Sequence, residues 1–183
     1  MIILGIDPGT ATTGYGIIRV PDDILGRKFD YGIGLIDYGF ISTPKDLPMP
    51  QRLVILHHQI EDIVEKFKPD IISLEMLFFG ANTKTAIAVG QARGVIMLSA
   101  GMRQIPIHEY TGLQVKLMVA GAGRADKKQV HDGVRKFLGK NGQKSRELLR
   151  PMVGLKRSQK KFSDDATDAI AIAICHVLKL AAK

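Results

Sequence analysis

With one cysteine, Cys175, in 183 residues, the chain has no partner for an internal disulfide, and nothing points to an oxidising compartment. No uninterrupted apolar run approaches the roughly 20 residues that a membrane-spanning helix needs. Met1 to Asp7 has no basic segment ahead of its apolar residues and meets Asp7 and Pro8 at once, so no signal peptide is expected. There is no internal repeat and no shift in composition that marks a second domain. Acidic residues are the minority, 18 against 26 Lys and Arg, and the net charge of +8 favours a polyanionic partner without choosing nucleic acid over other anions. Hydrophobic residues make up 45% and charged residues 24%, the balance of an ordinary globular protein. The expectation is a cytoplasmic protein with one domain over residues 1–183, large enough to bury a core without disulfides or a structural metal.

Short apolar runs come first. Ile2 to Ile6 is closed by Asp7-Pro8-Gly9 and reads as a buried strand ending at Asp7. Gly14 to Val20 and Gly34 to Thr43 follow as strands, and the short links suggest an antiparallel meander. Pro44 to Pro50 is a connector with three prolines. From Gln51 the period changes: Leu53, Leu56, Ile60, Ile63 and Phe67 recur at helical steps. Asp70 to Glu75 is another strand that ends in a carboxylate. Asn82 to Ala100 reads as helix, Ile105 to Tyr110 as strand and Lys127 to Leu138 as helix. Residues 139–163, with eight Lys or Arg and one Glu, read as a basic loop or insertion. A last helix is expected from Asp165 to about Ala181, although Ala169 to Ile174 also fits a strand by period. The order gives a mixed-sheet α/β fold.

Asp7 and Glu75 end two apolar strands 68 residues apart in sequence. A carboxylate at a buried strand end is costly unless it is paired, hydrogen-bonded or metal-bound. Asp165 and Asp168 share one helical face, at what reads as the positive end of the last helix. If that helix packs beside the strand ends, four mutually repelling carboxylates converge. An oxygen-rich set without Cys or His suits Mg²⁺ or Mn²⁺ rather than zinc. Two ions about 4 Å apart would hold a phosphodiester, activate water and stabilise the leaving oxygen. Taken singly, Asp7 and Glu75 also suit turns, and Asp165 suits a helix cap.

Ile3 to Thr10 with Thr13-Gly14-Tyr15-Gly16 resembles the opening of the RuvC-type Holliday junction resolvases, a branch of the ribonuclease-H-like nucleases. The resemblance continues through Leu74-Glu75, Phe78, Gly90 to Gly94, Glu109-Tyr110, Gln114 to Lys116 and Lys127 to Val130, and closes on Asp165 to Ala173. It implies a ribonuclease-H-like mixed sheet, an antiparallel meander plus parallel strands, flanked by helices. It makes Asp7, Glu75, Asp165 and Asp168 the catalytic metal ligands of a Mg²⁺-dependent crossover junction endodeoxyribonuclease. It also implies a homodimer that nicks a four-way junction symmetrically in recombination and repair, leaving ends a ligase can seal, with a branch-migration motor complex as a further partner.

Lys116 and Lys127 match family lysines that contact DNA near the active site, where an ammonium can hold the scissile phosphate. Phe78 matches an aromatic that stacks on an unpaired base, and Phe79 beside it can share or take that role. Gly121, Gly123 and Arg124 form a basic turn that either touches a phosphate or is simply a turn. Ala86, Gly90 and Gly94, four residues apart, make a smooth stripe on a helix that the family places in its dimer interface; packing on the chain's own sheet explains it as well. His57, His58, His108, His131 and His176 show no ligand spacing and read as structural or surface residues.

Residues 139–163 are longer and more basic than the family's corresponding link and either track a DNA arm or stay solvated. Ser163 or Asp164 is read as the cap of the last helix, with Asp165 kept as a ligand. Three other functions remain open at this stage. One is a related nuclease acting on RNA or another branched DNA. The second is a junction-binding module that no longer cuts, which four retained acids disfavour. An actin-like ATPase half is the third, disfavoured by length.

Overall fold

The computed structural model describes residues 1–21, 32–76, 83–138 and 157–182. Strands β1 (Ile2–Asp7), β2 (Thr12–Arg19) and β3 (Gly34–Ser42) precede helix α1 (Met49–Phe67). Then come β4 (Ile71–Glu75), α2 (Thr83–Met102), β5 (Ile107–Tyr110), α3 (Gly112–Ala120), α4 (Lys127–Leu138) and α5 (Arg157–Ala181). The five strands form one sheet in the order β3-β2-β1-β4-β5. β1 pairs antiparallel with β2, and β2 with β3, as the short connections require. β1 pairs parallel with β4, and β4 with β5, each across a helical connection.

Strand alternation divides the core. Leu4 and Ile6 of β1 and Ile72 and Leu74 of β4 pack on the face covered by α1 and α2, with Leu56, Ile60, Ala92 and Ile96. The opposite face carries Ile3 and Ile18 against α3, α4 and α5, with Val115, Val130, Val134, Ile170 and Ile174. On β1, Gly5 and Asp7 share a side with Ile3; on β4, Ser73 and Glu75 share it too, and the Ser73 hydroxyl donates to the Ile172 carbonyl of α5. Period two therefore sends both strand-end carboxylates to the α5 face.

α5 lies unusually close to this face. A Cβ on Gly5 would stand 2.0 Å from the Ala169 carbonyl oxygen, and one on Gly14 would stand 2.2 Å from that of Asp165. Buried Ala166, Ala169 and Ala173 supply the matching small surface on the helix.

Two sequence expectations need correction. α5 starts at Arg157, so residues 157–163 are helix rather than loop, and neither Ser163 nor Asp164 caps it. Asp165 lies about two turns in, away from the positive helix end. The stretch is polar but free of Pro and Gly, and Arg, Gln and Lys are good helix formers. α3, for which no helix is expected, forms behind a capping box: Thr111 accepts from the Gln114 amide and the Gln114 side chain accepts from the Thr111 amide. Its end is Gly121, with a φ of 79°. The antiparallel meander, the helix at Lys127–Leu138 and the helical choice for Ala169 to Ile174 hold. No described helix is long and apolar enough to cross a membrane.

Candidate active site

β1 and β4 run parallel with Ile6 opposite Leu74, so Asp7 and Glu75 leave the sheet side by side. The turn after Asp7 is pinned. The Thr13 hydroxyl donates to the Gly9 carbonyl at 2.7 Å, and the Arg52 guanidinium of α1 donates to the Thr10 carbonyl at 2.6 Å. Close packing of α5 then brings Asp165 and Asp168 to the same place. The carboxyl of Asp7 donates a hydrogen bond to Glu75.

The electrostatics follow from crowding acids in a half-dry cleft. Burial, then the charge of Glu75 and the hydrogen bond to it, hold Asp7 well above the usual carboxylate range, and Asp165 adds to the rise while Lys127 opposes it. Burial likewise raises Glu75, although its bond from Asp7 and the charges of Lys116 and Arg93 pull it back. Asp168 is pushed up to about 7, by burial first and then by Asp7, with Lys127 opposing.

Lys127, at the first turn of α4, donates to the Asp164 carboxylate at 2.9 Å, and that bond leads the causes that raise its own pKa. Lys116 is exposed on α3 within reach of the charge of Glu75. Arg124 is exposed on the turn between α3 and α4. Phe78 and Phe79 lie outside the described residues, as does 139–156 of the basic segment.

The donor set fits a hard divalent cation. Four carboxylates come from a strand end, its parallel neighbour and one helical face, and their mutual repulsion is what such an ion would relieve. Among the described residues no three such donors are drawn in to the spacing of ligands around a single ion. The cleft gathers the acids without closing them into a cage, and the hydrogen bond between Asp7 and Glu75 spans the pair.

Arg93 of α2 is a site residue that the sequence reading does not single out. Its guanidinium donates to the backbone carbonyl of Glu75 and to the carboxylate of Glu109 on β5. Its side chain is only 12% exposed. A buried arginine must have acceptors, and Gly90-Gln91-Ala92-Arg93-Gly94 carries this one inside an apolar helix, the one signal that could have marked it. Arg52 is similar, an arginine among the apolar positions of α1.

Three of the histidines pack within the chain. His57 meets the Ser99 hydroxyl at 2.9 Å, and His176 meets the Tyr110 hydroxyl at 2.7 Å with the His108 ring packed against it. The small-residue stripe on α2 is divided. Ala86 is buried within the chain, whereas Gly94 lies on an outward face with Ile87 and Leu98, each 59% exposed.

A family profile described as "Crossover junction endodeoxyribonuclease RuvC" matches residues 3–176. A protein of that name from Desulfitobacterium hafniense is 46% identical over 176 residues, covering 96% of this chain and 92% of the relative. One from Chloroflexus aurantiacus is 45% identical over 177 residues with the same coverage. Among solved structures, T. thermophilus RuvC in complex with a Holliday junction substrate superposes with a TM-score of 0.77 at 26% identity, covering all of this chain and 96% of that one.

Proposed function

This chain belongs to the RuvC family of crossover junction endodeoxyribonucleases, and we propose on that premise how its own residues resolve a four-way DNA junction. It is a metal-dependent endonuclease that cuts Holliday junctions. The observation that carries the assignment of the site is the convergence of Asp7, Glu75, Asp165 and Asp168 on the α5 face of the sheet.

The ions are Mg²⁺, two per site, with Mn²⁺ able to substitute. Held by the four carboxylates, such ions would supply activation of water and stabilisation of the leaving oxygen of the phosphodiester. The four carboxylates hold them, and the chain does the rest. The close approach at Gly5 and Gly14 fixes α5, and with it Asp165 and Asp168, against the strand ends. Arg93 fixes the backbone at Glu75. Lys116 and Lys127 flank the acids and hold the scissile phosphate against their repulsion. Arg124 meets a phosphate farther along the strand, and Phe78, with Phe79, stacks on an unpaired base at the crossover.

Two symmetric nicks call for two sites, and α2 offers a surface for the second copy. Ile87, Met97, Leu98 and Met102 leave 59%, 42%, 59% and 66% of their surface exposed along this helix. A Cβ at Gly90 or Gly94 would meet nothing within 4 Å, so the helix is open to close approach from outside. The enzyme thus works as a homodimer of single-domain subunits, in the cytoplasm, on junctions delivered by a branch-migration motor.

A synthetic four-way junction, a linear duplex of the same sequence and an RNA duplex, each with Mg²⁺ or with chelator, test this. Paired symmetric nicks in the junction alone, dependent on the ion, are expected. Equal cutting of linear duplex or RNA would remove the junction from the assignment.

A further inference from the structure

Asp164 lacks the role that its place in the sequence suggests. It stands about two turns inside α5, where it caps nothing, and aspartate is among the poorer helix formers. Four residues before Asp168, it shares a helical face with that carboxylate. Its own side chain is engaged elsewhere: Nζ of Lys127 donates to Oδ2 of Asp164 at 2.9 Å.

Lys127 is fixed at its root and free at its tip. At the start of α4 the Gln129 amide donates to the Asp126 carboxylate at 2.8 Å, and the Asp126 amide donates to the Gln129 side chain at 2.9 Å. This reciprocal pair sets the backbone on either side of Lys127. Val130 and Val134, farther along α4, are buried in the core that α5 helps to form. The Lys127 side chain, by contrast, is 71% exposed and long enough to swing.

Two kinds of partner lie within that swing. Lys127 is in reach of the charges of Asp168 and Asp165 as well as that of Asp164, and it acts in turn on Asp7. An ammonium that settled among Asp7, Asp165 and Asp168 would neutralise the oxygens assigned to the metal and compete with it. An ion pair with so exposed a partner adds little to stability. What it does change is where the ammonium sits.

We propose that Asp164 is a positioning residue, which holds the Lys127 ammonium at the rim of the site, off the metal-binding carboxylates and available to the substrate phosphate. The inference rests on the roles assigned above to the four carboxylates and to Lys127. Asp164 touches neither metal nor DNA in this role. Without it, a mobile positive charge is drawn to the remaining acids, and a divalent cation must displace it.

The test measures Mn²⁺ binding to the protein alone, through loss of the free ion's EPR signal, and needs no cutting. Asp164→Asn keeps the shape of the side chain and releases Lys127, and it should weaken Mn²⁺ binding about tenfold. Part of that loss is the direct effect of one negative charge fewer near the ion, and this part does not depend on Lys127. In Lys127→Ala protein the same substitution should therefore cost about threefold or less, because no ammonium remains to be held. Asp164→Glu, which keeps a carboxylate for the ammonium, should recover most of the wild-type affinity.

Equal losses with and without Lys127 would overturn the proposal, since they would reduce Asp164 to one more charge near the ion. Unchanged Mn²⁺ binding in Asp164→Asn would overturn it too. A wild-type protein that binds no Mn²⁺ would bring down the carboxylate assignment and this inference with it. Normal wild-type binding with equal losses sinks the positioning role alone.

Discussion

The guanidinium of Arg93 donates to the backbone carbonyl of Glu75 and so fixes the end of the strand that carries a site carboxylate. The same group reaches the Glu109 carboxylate, so one buried side chain ties α2 to β4 and β5. Lysine has one compact ammonium and cannot reproduce the planar fork.

Arg93→Ala should therefore lower cutting by roughly 10–100-fold, the usual cost of losing a group that orients a metal ligand. Arg93→Lys should recover only part of it. The loss should appear as a higher Mg²⁺ concentration for half-maximal rate, with junction affinity in chelator retained. An unchanged metal requirement would mean that Arg93 serves packing alone.

Gly14→Ala tests the close approach of α5. Its Cβ would meet the Asp165 carbonyl oxygen at 2.2 Å, which is backbone and cannot swing aside. Overpacking of this kind costs about 1–3 kcal/mol. Urea unfolding should show that loss, and cutting should fall further than stability explains, because the helix that carries Asp165 and Asp168 is displaced. Wild-type cutting in the variant would show that the approach does not set the site.

The raised carboxyls predict a sign for pH dependence. Asp168 loses its proton at about 7 in the folded chain against 3.8 for the free group, burial being the leading cause. Between those values the unfolded chain binds fewer protons than the folded one, so this group's contribution to stability falls as pH rises through the interval. Asp168→Asn should match wild type in chelator near pH 4, at the lower end of that interval, and gain on it progressively up to about pH 8, by about 1 kcal/mol or more, or ~2–4 °C in Tm. Mg²⁺ competes with these protons, so its stabilisation of the wild type should grow over the same interval. A variant that gains most at low pH would reverse the assignment.

Leu98→Asp places a charge on the exposed face of α2 without touching the core. If the proposed dimer forms through this face, sedimentation should show a dimer for the wild type and a monomer for the variant, and paired nicking should fall well below single nicking. A dimer that survives the substitution would move the interface off α2.

Much of the site was legible in the sequence because its signals are local. Asp7 and Glu75 each end a short apolar run, and period-two alternation then places both on one face. Lys127–Leu138 shows its helix through a strong apolar stripe. Other features lacked such signals. α3 is apolar on nearly all sides, so no stripe marks it, and only Thr111-Gln114 and Gly121 frame it. The start of α5 is hidden because a polar run without breakers looks like a loop until tertiary packing prolongs the helix through it. Arg93 and Arg52 became visible only once distant carbonyls were brought to them. Spacing joined Ala86 to Gly94, but each step of four overshoots a full turn by about 40°, so over two steps the stripe passes from the buried side to the exposed one.

The most direct measurement is the rate at which Asp7→Asn protein cuts a four-way junction in Mg²⁺, read beside its affinity for the same junction. Asn keeps the shape of the side chain and removes the charge that would hold the ion. Cutting should fall by about a thousandfold or more, which corresponds to ~4 kcal/mol of transition-state stabilisation, while binding stays equal or tightens because one negative charge no longer faces the phosphates. Cutting at a rate near that of the wild type would show that the carboxylates gathered at Asp7 are not where the chemistry occurs.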